Sequence, residues 1–99
     1  MKNFFIVAAQ NLSKEQEKVL IAYLGQNGCG WWHWIENYWL IVDPRQILTT
    51  EIIRDEISRI SNNQSRSLVL EVQANSNWNG YGPNSPERNM GKWLDENWQ

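Results

Sequence analysis

Cysteine and histidine each occur once in this chain, as Cys29 and His33. A single thiol excludes an internal disulfide, and one thiol with one imidazole cannot make the thiolate–imidazole set of a structural zinc site. Long apolar runs are missing too. The run Phe4 to Ala9 near the start is six residues, far short of the roughly 20 that a membrane-spanning helix needs. Nothing beside it reads as a cleavage site, so the chain is expected to be cytoplasmic. Positive charge is also scarce: nine Lys and Arg stand against eleven Asp and Glu, a net charge of -2. Arg45, Arg54, Arg59 and Arg66 alternate with Asp43, Glu51, Asp55 and Glu56. They do not form the basic stripe that neutralises a nucleic-acid backbone.

Tryptophan is what the chain has in abundance, with seven in 99 residues. Each buries roughly 200 Å2, so a few of them fill a core. A domain of this size hides only roughly 60–65% of its unfolded surface, so some tryptophans are expected at a surface, an interface or a pocket. The length fits one domain. At 20% charged residues, the composition is not that of a disordered chain.

Hydrophobic periodicity places the elements. Phe4 to Ala9 is a short continuous apolar run, the mark of a strand covered on both faces. Ser13-Lys14-Glu15-Gln16 reads as a capping box. Behind it Val19, Leu20, Tyr23 and Leu24 follow at helical spacing, and Gly25 and Gly28 are expected to stop the helix. Trp31 to Ile35 and Trp39 to Val42 read as a hairpin around Glu36-Asn37-Tyr38, ended by Asp43-Pro44. Thr49 or Thr50 caps a second helix carrying Ile53, Ile57 and Ile60 on one face, and Asn62 to Ser65 breaks it. Ser67 to Gln73 alternates as a half-exposed strand. The order β-α-β-β-α-β predicts an α+β ferredoxin-like sandwich over residues 1–74, its first and third strands central. Both edge strands then invite pairing with another chain.

Residues 75–99 change character. Asn75 to Asn89 is an Asn/Gly-rich loop holding Trp78 and Tyr81. Ser85-Pro86-Glu87 reads as a helix start, with an N-cap, proline at the first helical position and an acid at the positive end of the dipole. Met90, Trp93, Leu94 and Trp98 then form an apolar stripe, so this helix is expected to pack on the same domain.

The hairpin Trp34…Tyr38-Trp39-Leu40-Ile41-Val42, then Ile53…Ile57, Leu68-Val69-Leu70-Glu71-Val72, Asn77-Trp78-Asn79-Gly80-Tyr81-Gly82 and Trp93-Leu94 resemble small prokaryotic and mobile-element proteins of the SinR-like family. These are distant relatives of the small CRISPR adaptation subunit and of VapD. The resemblance implies the ferredoxin-like fold, a homodimer joined through its sheets, and a setting in prokaryotic defence or phage counter-defence. In some relatives it also implies a divalent-metal nuclease, with an aspartate at the end of the first strand. Here Gln10 stands in that place, and an amide is a poor ligand for a hard cation. The nearest carboxylates are Asp43 and Glu71, so neither a metal nor another cofactor is expected.

His33 is the one candidate general base and Cys29 the one thiol nucleophile, although a lone strand histidine and a turn cysteine are ordinarily structural. Trp32, Trp34, Trp39, Trp93 and Trp98 are expected in the core and under the last helix. Trp31, Trp78 and Tyr81 read as a surface on which a base or nucleotide can stack. With Asn79 of the loop and His33 they form the expected ligand or partner site. The leading expectation is a non-catalytic dimeric module that binds a protein or nucleotide-type ligand. A metal-dependent nuclease and a nucleotide-sequestering protein are the alternatives.

Overall fold

A computed structural model of the chain describes residues 2–73 and 77–99. The elements are β1 (Asn3–Ala9), α1 (Lys14–Gln26), β2 (Gly30–Ile35), β3 (Tyr38–Asp43), α2 (Thr50–Ile60), β4 (Ser67–Val72) and α3 (Met90–Asn97). The strands form one antiparallel sheet in the order β2-β3-β1-β4. The protein is therefore a mixed α+β domain with a four-stranded antiparallel sheet and three helices. The near-continuously apolar strands β1 and β3 lie at the centre, where both faces are covered.

Local chemistry accounts for the element ends. Ser13 Oγ accepts from the Gln16 N–H at 3.1 Å while Gln16 Oε1 accepts from the Ser13 N–H at 2.9 Å, a complete capping box. Thr49, not Thr50, caps α2, its hydroxyl accepting from the Ile52 N–H at 3.1 Å. The end of α1 differs from expectation. Gly25 lies inside the helix and Asn27 caps it, because the left-handed turn falls one step later, at Gly28 with φ 72°. A Cβ there would also meet Arg45 Nε at 3.0 Å. Asn37, at φ 65°, makes the hairpin turn with Glu36, and Tyr38 already belongs to β3. Asn62 and Asn63, at φ 54° and 62°, end α2, since asparagine tolerates this region.

Alternation along the strands sends side chains to two separate cores. On one face Phe5, Val7, Trp39 and Ile41 pack with Leu20 and Leu24 of α1 and Ile53 and Ile57 of α2. Asp43 is fully buried at the end of β3, where its Oδ2 accepts from the Leu48 N–H at 2.7 Å and ties down the chain before α2. On the other face Phe4, Trp32, Leu40 and Val42 pack with Met90, Leu94 and Trp98. No helix among the described residues is long and apolar enough to cross a membrane.

One expectation for the C-terminal part needs correcting, and Asn75, which opens the expected loop, lies outside the described residues. Ser85-Pro86-Glu87 does not start the last helix. It forms an isolated turn in which the Arg88 N–H donates to Ser85 at 3.2 Å. Asn84 then pairs with Asn89, and the Met90 N–H donates to Pro83 O at 2.8 Å. Helix α3 begins after Asn89, whose Oδ1 accepts from the Gly91 and Lys92 N–H groups at 3.1 and 2.9 Å. One asparagine oxygen thus satisfies two of the helix's unpaired donors. β4 is the half-exposed strand its alternation predicts. Val69 packs on the helix-covered core, but Leu68 and Leu70 are 60% and 47% exposed. They share the face that α3 covers, and α3 sits toward the β2 side of it.

Candidate functional site

The expected site residues separate into two places, with Trp32 as the wall between them. On the sheet face, Trp78, Asn79 and Tyr81 border a cleft of about 340 Å3 whose floor is Ile6, Leu40 and Trp32. Trp98 closes one end, held edge-on against Phe4 with centroids 5.2 Å apart. The indole N–H of Trp32 donates to Met90 O at 3.0 Å, which locks that ring and α3 together. None of the side chains lining this cleft is charged.

The loop over the cleft takes its shape from three close approaches. A Cβ on Gly80 would lie 2.9 Å from Met90 Cε, and one on Gly82 would lie 2.5 Å from Met90 Sδ. On Gly91 it would lie 2.9 Å from Trp78 Cη2. At Gly80 and Gly82 the atom met is the flexible end of Met90, which can swing aside, whereas at Gly91 it is the rigid Trp78 ring, so the close approach there favours glycine. The loop packs closely against Met90 on either side of Tyr81, and Tyr81 stands fully exposed at the rim. Asparagine and glycine content alone indicates only a turn; the packing on Met90 is the part that sequence reading missed. Its one trace is the Gly-Tyr-Gly spacing.

Trp31 and His33 lie elsewhere. Trp31 leans on Trp39, with centroids 5.9 Å apart, as part of the helix-covered core. It does not join Trp78 and Tyr81 in one stacking surface, because alternation puts it on the opposite face of the sheet. It borders instead a second groove, about 350 Å3, along β2 with Trp32, His33, Trp34, Trp93 and Arg88. A bulge between Trp32 and Ile35 adds one residue to β2 there.

His33 is held on three sides. Its ring stacks on Trp39 at 3.8 Å and 3°. Nδ1 lies 2.8 Å from Tyr38 O, and since a carbonyl only accepts, Nδ1 is the donor. Nε2 lies 2.9 Å from Glu17 Oε2. Both nitrogens are engaged and one ring face is covered, so no lone pair is left for a substrate. His33 ties α1 to the β2–β3 hairpin beside a polar hollow of about 550 Å3 bordered by Lys14 and Glu36. That is a positioning role in the fold, and it removes His33 as a general base in this arrangement. Glu17 of α1, which nothing in its sequence spacing singles out, is its partner.

Cys29 is buried, and its thiol is pushed up to about 11 by burial first and then by the nearby carboxylate of Asp43. A thiol in that state is a poor nucleophile. The carboxylates available for a hard cation do not fit one. Asp43 pairs with Asn3 at one end of β1, while Gln10 follows the other end. Asp43 is already committed to Leu48, and Glu71 stands opposite Phe5 in mid-strand. Among the described residues, no three His, Cys, Asp or Glu side chains gather as a metal set.

No protein-family model matches the chain, and neither a curated protein nor a solved structure matches it.

Proposed function

We propose that this protein is a non-catalytic binding module, working as a homodimer, whose sheet-face cleft takes an apolar or aromatic side chain of a protein partner. The observation that carries this reading is the cleft itself: aromatic walls, no charged lining, and Tyr81 fully exposed at its rim on a loop packed against Met90. Such a site suits an uncharged planar or apolar group. A nucleotide's phosphates would find no cation in its lining, so the protein-type ligand is preferred over the nucleotide. The β-α-β-β-α-β order with its β2-β3-β1-β4 sheet supports reading the fold as ferredoxin-like with an added C-terminal helix.

The dimer part of the reading rests on β4. It is an edge strand, and Leu68 and Leu70 carry an exposed apolar row out to that edge. Pairing with β4 of a second copy would continue both the sheet and the row, and would cover an edge that otherwise invites aggregation. The setting in prokaryotic defence or phage counter-defence rests on the SinR-like resemblance alone and belongs to the same proposal.

The test is a titration of the labelled protein with N-acetyl-tyrosinamide, N-acetyl-tryptophanamide and AMP, followed by amide and indole N–H shifts. The aromatic amides are expected to move Trp78, Asn79, Gly80, Tyr81 and the indole of Trp32, and AMP is not. Trp78→Ala should abolish the response. No shift at millimolar amide, or a response to AMP alone, defeats the cleft assignment. A sedimentation mass of 11.7 kDa at micromolar concentration removes the dimer from the reading.

A further inference from the structure

The groove along β2 is distinct from the sheet-face cleft and carries a different chemistry. β2 pairs only with β3, so its outer edge ends the sheet. Among the described residues, no backbone hydrogen bond reaches β2 from that outer side. Natural edge strands are blunted by a covering element, a proline, a charge within the strand or a bulge; in β2 the bulge lies between Trp32 and Ile35, which leaves Gly30–Trp32 as the regular stretch of edge. Gly30–Ile35 holds neither proline nor an acidic or basic residue apart from His33, which is turned inward to Glu17.

Three aromatic side chains flank this open edge: Trp31 from the helix-covered side, and Trp34 and Trp93 from the side of α3. Trp93 reaches across Gly30, where a Cβ would lie 3.5 Å from its ring. Arg88 is the one residue with a full positive charge in the lining, its Cζ 5.6 Å from the Trp34 ring centroid. Arg88 forms no ion pair among the described residues. The turn Ser85–Arg88 and the Asn84–Asn89 pairing set its backbone beside the groove.

We infer that the β2 edge receives an extended peptide by strand addition, with Arg88 taking a carboxylate of that peptide. The backbone edge supplies sequence-independent hydrogen bonds, the aromatic flanks take its alternate side chains, and the guanidinium selects an acidic one. A nucleic acid is the poorer fit: one cation does not make the stripe that a phosphate backbone requires.

The probe is the N-acetylated, C-amidated peptide Thr-Val-Asp-Val-Thr, with Thr-Val-Lys-Val-Thr as control, titrated into the full chain and followed by amide and Arg side-chain N–H shifts. The Asp peptide should move the amides of Gly30–Ile35 and the guanidinium of Arg88, and the Lys peptide should bind about tenfold more weakly. Arg88→Gln, at an exposed position, should bring the two peptides to the same affinity. Methylating the backbone nitrogens of the Asp peptide should abolish binding, because strand addition depends on them. Equal binding of the two peptides by the parent, unaltered binding after N-methylation, shifts confined to β4 or to the Trp78–Tyr81 cleft, or tighter binding of oligouridine in the same groove would each overturn the inference. Because Trp78–Tyr81 report only on the cleft and Gly30, Trp31 and Arg88 only on the groove, failure of one leaves the other standing.

Discussion

Replacing Trp98 by alanine is the sharpest test of how α3 belongs to the domain. Trp98 is 8% exposed and meets Phe4 edge to face at 5.2 Å. Burying an indole of roughly 200 Å2 at about 25 cal/mol per Å2 corresponds to roughly 5 kcal/mol of transfer free energy. Tryptophan-to-alanine changes in cores cost about 3–5 kcal/mol, and the edge-to-face ring pair adds about 1 kcal/mol to what is lost. One term works the other way: a terminal helix can let go, so the loss is capped by the free energy of docking α3. Ordering the loop before α3 opposes that docking by about 1–2 kcal/mol per residue. The expected cost is therefore about 3 kcal/mol, or roughly 12–24 °C in Tm for a domain of this size. Trp93 occupies the same sequence stripe but is only half-buried, against Gly30 and Trp98. Trp93→Ala should cost about 1–2 kcal/mol, in proportion to its smaller buried area. Urea melts of the two variants, read by far-ultraviolet circular dichroism, give the comparison. If Trp98→Ala melts with the parent, or if Trp93→Ala costs more than Trp98→Ala, α3 is not docked through Trp98 and the second core is misassigned.

The remaining predictions concern the buried polar end of β3. Cys29 should resist iodoacetamide in the folded protein near neutral pH and react once urea unfolds it. Because its thiol is raised from 9.0 to about 11 on folding, the folded state holds its proton more tightly, and stability should fall as pH rises from about 9 through 11. Cys29→Ala should lessen that slope, leaving the part that comes from Tyr23, whose phenol burial also pushes up; an unchanged slope removes Cys29 as a source. Asp43→Ala strands the Leu48 N–H in the core and should cost about 2–3 kcal/mol. Asp43→Asn keeps an acceptor oxygen and should cost distinctly less, so equal melts for the two would show that the 2.7 Å bond contributes nothing.

The sequence by itself determined what short-range chemistry controls. The apolar run of β1, the capping box at Ser13, the asparagines that end α2 and the alternation of β4 are each settled within a few residues, and the structure holds them where periodicity puts them. The excess of tryptophan was equally legible. Tertiary structure alone decided where those tryptophans face. Trp31 and Trp78 are both tryptophans expected at a surface, yet one leans on Trp39 beneath the helices and the other covers Gly91 on the opposite face. Their separation depends on strand parity and a β2 bulge, and on where α3 lands. The start of α3 departs from the local pattern for a related reason. Ser85-Pro86-Glu87 satisfies the local rules for a helix N-terminus, but the Asn84–Asn89 pairing and the Met90 N–H bond to Pro83 fold that stretch back on itself. Asn89, aimed at two free donors, is then the better cap. Spacing along a chain says which residues can share a face; only packing says which face finds a partner, and it left Tyr81, Leu68 and Leu70 facing solvent.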